Sequence, residues 1–480
     1  MITRVLLINP PASYDKQLGF LARNSPVVPP MGLLSVGSYL IQKGLSVKIV
    51  DGQALGLSQK DILAVMEQYR PQLVGFTAVT MNISDVASLA RLLKERFPAL
   101  VTVVGGVHIT ALPKRTLERY PYFDYAVLGE GEVTFYELIE ALNTHRDTLS
   151  VPGLAISGND GYRQTEPRAF VRDLDSLPRE KWSLLPGLNK YYHPALPLIK
   201  QLPSATLITG RGCIGRCIFC STRFMEGQGL RIFSADRVIE NVSELYHTYH
   251  IRDISFYDVN FMAAKRRFYT ITDYMRRHFP DLTWSGYARV DTVDKEMLAQ
   301  AKAAGCYHLS YGVESGNQKV LDFIGKGISL HEVRTVMQQT TDLGIHTRGL
   351  FMLGHPTESK ATLDDTLRLI LSLPMDDFHV TLFTPLPGTP IYEQAPTYGT
   401  FNEDWDKMNI FNCVFVPKGL SCATLYAYQK RAYMGFYMRG RVIWRKIRWL
   451  AGNRHSIRIL LYGGLSLMSL MLEKLTRRQP

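Results

Sequence analysis

Gly210-Arg-Gly-Cys213-Ile-Gly-Arg-Cys217-Ile-Phe-Cys220 lies near the middle of this 480-residue chain. Its C-x3-C-x2-C spacing supplies three thiolates where a closed metal site needs four. A structural zinc completes its tetrahedron with a fourth Cys or His, whereas an iron–sulfur cluster held by three cysteines keeps one iron open to a ligand. The nearest downstream histidines, His247 and His250, are more than a helix away. A zinc site, or cysteines buried as small hydrophobes, is the competing reading.

On the C-terminal side of this run, apolar β-type segments alternate with helical patterns. The segments are 206–209, 253–257, 283–287, 307–311, 346–353 and 378–383, and the alternation predicts six parallel strands in a partial barrel. The cysteine run follows the first of them. Residues on loops after such strands line one mouth, which is where catalytic groups of βα barrels sit.

On the N-terminal side, strands are expected at 5–8, 46–50, 73–77, 101–104 and 125–128, with helices near 33–43, 60–69 and 83–97. Four loops follow strand ends: Asn9-Pro10-Pro11, Thr77-Ala78-Val79-Thr80, Gly105-Gly106-Val107-His108 and Gly129-Glu130-Gly131-Glu132. Their small residues suit close approach of backbone to a ligand at the edge where open α/β sheets bind. Taken alone they fit a dinucleotide, a flavin or no ligand equally well. Residues 146–200, with six prolines from Pro152 to Pro197, read as an irregular connector.

With Phe219 just before the last cysteine, the central motif resembles the cluster loop of radical S-adenosylmethionine (SAM) enzymes. The order and spacing of the loops ahead of it resemble the cobalamin-binding domain of class B radical SAM enzymes. The resemblance covers residues 1 to about 400. It implies an α/β chain with a Rossmann-like cobalamin-binding domain (1–145), the connector (146–200), a partial (β/α)6 TIM-type radical SAM barrel (201–400) and a helical C-terminal region with a basic tail (401–480). Cys213, Cys217 and Cys220 would hold a [4Fe-4S] cluster. Thr77, Gly105, Gly106, Gly129, Glu130 and Gly131 would face cobalamin.

By the same resemblance, SAM would meet Phe219 in the cysteine motif, Asp258 and Asn260 after the second barrel strand, Arg289 after the third and Glu314 after the fourth. Asp258 and Asn260 could instead cap a helix or make a turn. Arg289 could instead pair with Asp291 or Asp294. Gly354-His355-Pro356-Thr357-Glu358 resembles the family's adenine-side loop, with His355 a proton donor or an ordinary loop residue. Methionine-synthase-like domains carry Asp-x-His-x-x-Gly after the first strand, and here the nearest mimic, Asp51-Gly-Gln-Ala-Leu-Gly56, has Gln for His and follows the second. Cobalamin bound here is therefore expected without a lower histidine ligand, and His108 is expected to serve its loop. Tyr287, Tyr307, Tyr311 and Cys306 are candidates to face the barrel cavity.

The implied reaction is methyl transfer to an unactivated carbon. A 5′-deoxyadenosyl radical takes hydrogen from substrate, and the carbon radical takes methyl from methylcobalamin. A flavodoxin- or ferredoxin-type donor would supply the electron. The alternatives are a non-methylating reaction, such as tetrapyrrole oxidative cyclisation or ring contraction, and a cobalamin- or cluster-based sensor.

Six cysteines, three of them clustered and Cys306, Cys413 and Cys422 scattered, do not resemble a secreted disulfide framework, and a cytoplasmic location is expected. The net charge of +12 is concentrated at the end, where residues 439–480 hold ten Lys/Arg against one acid, Glu473. An amphipathic helix is expected over 425–450. The fourteen uncharged residues 459–472 fall short of the roughly 20 that span a bilayer. Such a tail suits the surface of an anionic membrane or packing on the barrel, and contains no RNA-binding module. It points to a hydrophobic small-molecule substrate: a hopanoid, another isoprenoid lipid or a tetrapyrrole.

Overall fold

A computed structural model describes residues 1–11, 26–158, 161–193, 200–440 and 442–445. The N-terminal sheet contains β1 (Arg4–Asn9), β2 (Ser46–Asp51), β3 (Leu73–Thr77), β4 (Val101–Gly105), β5 (Tyr125–Val127), β6 (Leu154–Gly158) and β7 (Gly161–Gln164), in the order β2-β1-β3-β4-β5-β6-β7. The first five are parallel. In β1 the side chains alternate between two cores. Val5 and Leu7 join Leu34 and Leu138 from helices Met31–Gln42 and Gly131–Asn143, while Leu6 and Ile8 join Ile62 and Leu89 from helices Gln59–Tyr69 and Ile83–Arg96. A strand covered by helices on both faces must be apolar throughout, which is why this segment reads as an unbroken hydrophobic run.

β6 and β7 form an antiparallel hairpin on the edge of this sheet, so part of the stretch expected to be irregular is ordered strand. Pairing with β5 satisfies backbone groups that would otherwise be left on an open edge.

The second sheet consists of β8 (Ser204–Leu207), β11 (Asp253–Phe256), β12 (Thr283–Ala288), β13 (Cys306–Glu314), β14 (His346–Leu353) and β15 (Asp377–Leu382), all parallel and in chain order. Between β8 and β11 the chain makes a small antiparallel pair, β9 (Gly210–Cys213) and β10 (Gly229–Ile232). Helices between the strands start on side-chain caps: Ser234 accepts from Arg237 N–H, Asp294 from Met297 N–H, and Ser329 forms a capping box with Glu332. The outer face of the sheet is apolar. Trp284 is fully buried there against Phe256, Phe261 and Phe268, with its indole N–H donated to the Ala304 carbonyl at 2.9 Å.

Helix Cys422–Tyr437 closes the β15 edge: Gln429 donates to the Val380 carbonyl at 2.8 Å, and the Tyr433 hydroxyl accepts from Val380 N–H at 3.4 Å. Phe436 of this helix is buried on Phe378. The expected helix over 425–450 therefore begins as a barrel element. The C-terminal region also contains strands, β16 (Gly399–Phe401) and β17 (Phe415–Pro417), where only helix was expected. Cys413 and Cys422, read from sequence as scattered, are joined by a disulfide. Residues 459–472 and nearly all of the basic tail lie outside the described residues. Among the described residues no helix is long and apolar enough to cross a membrane.

Replacing Trp284 with Ala removes the largest side chain of the outer core and strands the Ala304 carbonyl, so it should destabilise the barrel by about 3–5 kcal/mol. A clear fall in the denaturant midpoint of the barrel transition is the expected result.

Candidate active site

Cys213 ends β9, and Cys217 and Cys220 follow on the loop that crosses the barrel mouth. All three are half-buried free thiols. Two contacts fix the loop. Ile218 N–H donates to the Ile324 carbonyl at 3.0 Å, and Gly325, at φ +67°, lies so close that a Cβ there would sit 2.8 Å from the Arg216 carbonyl oxygen. Gly215 N–H donates to Cys213 Sγ at 3.3 Å. Among the described residues, no three His, Cys, Asp or Glu side chains converge as a single-ion site. The thiols of an iron–sulfur cluster bind separate irons and need not meet at one point.

Cations surround the loop. Burial raises the Cys217 thiol's pKa, and Lys326 and Arg289 oppose that shift. Lys326, between Gly325 and Gly327, pairs with Glu314 at 2.7 Å. Arg289 binds Asp291 through Nε at 2.9 Å and Nη2 at 2.7 Å, and donates from Nη2 to the Lys326 carbonyl at 2.8 Å. The bridge to Asp291 that was the alternative is thus formed, with Arg289 buried and Asp291 exposed. Arg289 Nη1 lies against Gly215, where a Cβ would be only 2.8 Å away, so the guanidinium reaches the cluster loop as well as its acid.

Asp258 is buried, accepts from Thr209 N–H at 2.8 Å and Thr209 Oγ1 at 3.1 Å, and is pushed up to about 6 by burial against the pull of Arg267. Its Oδ2 has no hydrogen-bond partner among the described residues. Asn260 is turned to Thr292, with Nδ2 to Oγ1 at 2.9 Å. Phe219 sits beside His355 and Phe383. His355 is wholly buried, and burial lowers its pKa to about 3. Glu358 accepts the backbone N–H groups of Gly354 at 2.6 Å and His355 at 3.1 Å, so this carboxylate shapes the loop that places His355.

In the N-terminal sheet, Thr77 pairs in register with Gly105 at the strand ends. Gly106 has φ +105°, and a Cβ there would lie 2.5 Å from the Ala78 carbonyl oxygen, so only glycine lets these two loops close together. Gly129 has no atom within 4 Å of where a Cβ would sit, and its backbone stands open at the same edge. His108 does not face that edge as a ligand. Its ring nitrogens meet Thr80 Oγ1 at 3.2 Å and Thr116 Oγ1 at 3.1 Å, and burial lowers its pKa to about 4. Asp51 caps helix Gly52–Leu55 and accepts from the Tyr192 hydroxyl, consistent with a turn.

Glu130 is placed differently from the other loop residues. Its carboxylate takes Arg211 Nη1 at 2.8 Å, Arg231 Nη1 at 3.1 Å and Val171 N–H at 2.8 Å. Arg211 Nη2 also meets Glu132 at 2.5 Å. Arg211 stands two residues before Cys213 on β9. The pair of acids therefore ties the loop after β5 of the N-terminal sheet to β9, the strand that delivers the first cysteine of the barrel-mouth loop. Burial raises the Glu132 carboxyl's pKa, Arg211 outweighs it, and the group ends below its usual range. Arg211, Arg231, Glu132 and Lys326 were given no role of their own in the sequence expectations. Their signals were Arg-x-Cys at 211–213, Glu-x-Glu at 130–132 and Gly-Lys-Gly at 325–327.

A B12-binding-domain family model matches residues 20–139, and a radical SAM superfamily model matches residues 207–370. The chain is 30% identical over 449 residues to an uncharacterized methyltransferase of Pyrococcus horikoshii, covering 93% of this chain and 95% of that protein. It is 27% identical over 397 residues to the anaerobic magnesium-protoporphyrin IX monomethyl ester cyclase of Cereibacter sphaeroides, covering 81% of this chain and 64% of that protein. Among solved structures, the radical SAM methyltransferase TsrM from Kitasatospora setae, with cobalamin and a [4Fe-4S] cluster bound, aligns with TM-score 0.71 at 17% identity, covering 91% of this chain and 89% of that one. The cobalamin-dependent SAM radical enzyme OxsB aligns with TM-score 0.71 at 18% identity, covering 98% and 72%. An open parallel barrel with a three-thiol loop at its mouth, joined to a doubly wound sheet, is thus a fold shared with known enzymes. The chain belongs to the B12-binding radical SAM family.

Since Glu132 is held below its usual range, the Arg211 contact should be intact above the ordinary carboxylate range and be lost as pH falls through the lower folded value. Protease cleavage within 146–200 should rise over that acid window in the wild type. Arg211→Met should raise it already at neutral pH, with a cost of about 3 kcal/mol for leaving the acids buried without their cation.

Proposed function

We propose that this chain is a cobalamin-dependent radical SAM methyltransferase that places a methyl group on an unactivated carbon. The observation that carries the reading is the loop of Cys213, Cys217 and Cys220. It presents three half-buried free thiols at the mouth of a parallel barrel, beside the cations Lys326 and Arg289, which suit an electron-rich cluster. When bound, the [4Fe-4S] cluster, SAM and cobalamin supply radical generation and the transferable methyl group.

The chain's own residues bind and orient. The three cysteines would ligate the cluster. Asp258, whose Oδ2 lacks a partner, is suited to accept from the amino group of SAM, and Arg289 Nη1 to meet its carboxylate. Glu314 is suited to the ribose hydroxyls, with Lys326 holding it in place, and Phe219 with His355 would form the apolar side of the adenosyl site. Asn260, tied to Thr292, would hold the loop after β11 in shape. Thr77, Gly105, Gly106, Gly129 and Gly131 would provide the backbone edge for cobalamin. Glu130 would act on that edge indirectly, by docking it on Arg211. The expectation of a hopanoid-, isoprenoid- or tetrapyrrole-like substrate rests on the tail, nearly all of which lies outside the described residues. An external one-electron donor completes the requirements.

Anaerobic reconstitution with iron, sulfide and hydroxocobalamin, followed by reduction with SAM, should yield 5′-deoxyadenosine and S-adenosylhomocysteine by mass spectrometry. Cys213→Ala should abolish the deoxyadenosine. Deoxyadenosine with no S-adenosylhomocysteine, even with substrate present, would point to a non-methylating reaction. Neither product from a fully loaded protein would contradict an enzymatic role.

A further inference from the structure

The concave face of the barrel sheet contrasts with its apolar outer face. Along β14, Thr347, Gly349, Phe351 and Leu353 are buried outward, while His346, Arg348, Leu350 and Met352 alternate with them and remain partly accessible. Thr347 and Tyr311 hydrogen-bond to Thr341 and Thr340 of helix Leu330–Asp342, which fixes the outward direction on both β13 and β14. The accessible set therefore lines the lumen. On β15, His379 and Thr381 continue it, since Phe378 between them and Asp377 faces Phe436 of the C-terminal helix.

Arg348 brings a cation to this lumen. Its Nε donates to Asp377 Oδ2 at 3.1 Å and its Nη2 meets the same oxygen, while Tyr437 donates to Asp377 Oδ1. Asp377 is thus held in place, and Nη1 of Arg348 makes no hydrogen bond among the described residues. Above it, Tyr257 and Tyr287 meet edge to face with ring centroids 5.6 Å apart. His379 makes no hydrogen bond among the described residues, and burial, aided by Arg348, lowers its pKa to about 4, so its neutral ring can donate from one nitrogen. Toward the cysteine loop, Leu350 and Met352 supply an apolar stretch.

We propose that this lumen is the substrate pocket and that the substrate is a small polar molecule with a carboxylate or phosphate, whose oxyanion docks on the Arg348 Nη1 edge beside His379, with its reacting carbon at the level of Leu350 and Met352. The proposal rests on the methyltransferase reading and names the substrate class for it. Arg348 lies four residues below Met352 on the same strand, roughly 13 Å at about 3.3 Å per residue. The substrate is therefore elongated, with its acceptor end deep and its carbon near the mouth. A hydrocarbon lipid would cover the Nη1 edge of the guanidinium and the imidazole without giving either a hydrogen-bond acceptor or donor, at a cost that a polar ligand avoids.

The test uses the full chain loaded with cluster and cobalamin, treated with phenylglyoxal, with modification of each arginine followed by peptide mass spectrometry. Exposed Arg368 is the internal control. Inorganic phosphate and malonate are the probes. At about ten times its dissociation constant a bound oxyanion should slow modification of Arg348 roughly tenfold and leave Arg368 unchanged. Protection by phosphate assigns a phosphorylated substrate, and protection by malonate a carboxylic acid. No protection by either, or no modification of Arg348 at all, overturns the proposal. SAM cleavage is measured on the same preparation and depends on the cofactor site alone. Cleavage without protection defeats the pocket and leaves the enzyme, and protection without cleavage does the reverse.

Discussion

One buried guanidinium holds the two halves of the molecule in register. Arg211 reaches Glu130 with one arm and Glu132 with the other, and both acids lie where the loop after β5 enters helix Gly131–Asn143. A lysine could not span both acids, because its ammonium is a single point charge where arginine offers a planar fork. Ion pairs taken out of water return little net stability, but they tolerate little misplacement. The consequence here is positional. The backbone that leaves Arg211 arrives two residues later at Cys213, so the cysteine loop is placed relative to the glycine-rich edge of the N-terminal sheet.

The barrel divides its strands between two tasks. Outward-facing residues, Trp284, Tyr311 and Phe351 among them, are buried beneath helices and hold the sheet together. Inward-facing residues at the top, Glu314 with Lys326, flank the cysteine loop, and those below, Arg348 with Asp377, occupy the lumen. Lys326 beside the cysteine loop and Arg348 in the lumen are each already matched by an acid. Such pairs fix side-chain positions in advance of a ligand, which lowers the ordering cost of binding.

Much of this was legible in the sequence. The parallel strands and the cysteine loop follow from hydrophobic runs, from glycine placement and from the 213–217–220 spacing, all of which are local signals. What was not legible depends on contacts between distant residues. Glu130 reads as a ligand-facing loop residue, and only the approach of β9 turns it to Arg211. Tyr287 and Tyr311 are equivalent on a sequence pattern, yet Tyr287 faces the lumen and Tyr311 the helix layer, with a register shift between Trp284 and Ser285 along the way. Cys306 is buried in the core rather than facing the cavity. The 154–164 hairpin was hidden because prolines around it gave the whole stretch the look of a linker.

The central claim is that three cysteines hold a cluster with one iron open to SAM. The most direct measurement is the electron paramagnetic resonance spectrum of the reduced, reconstituted full chain before and after SAM is added. A [4Fe-4S] signal whose g-values shift on addition of SAM, and which is absent in Cys217→Ala, is the predicted result. A signal indifferent to SAM, or a purified protein that binds stoichiometric zinc at these thiols and takes up no iron, would contradict it.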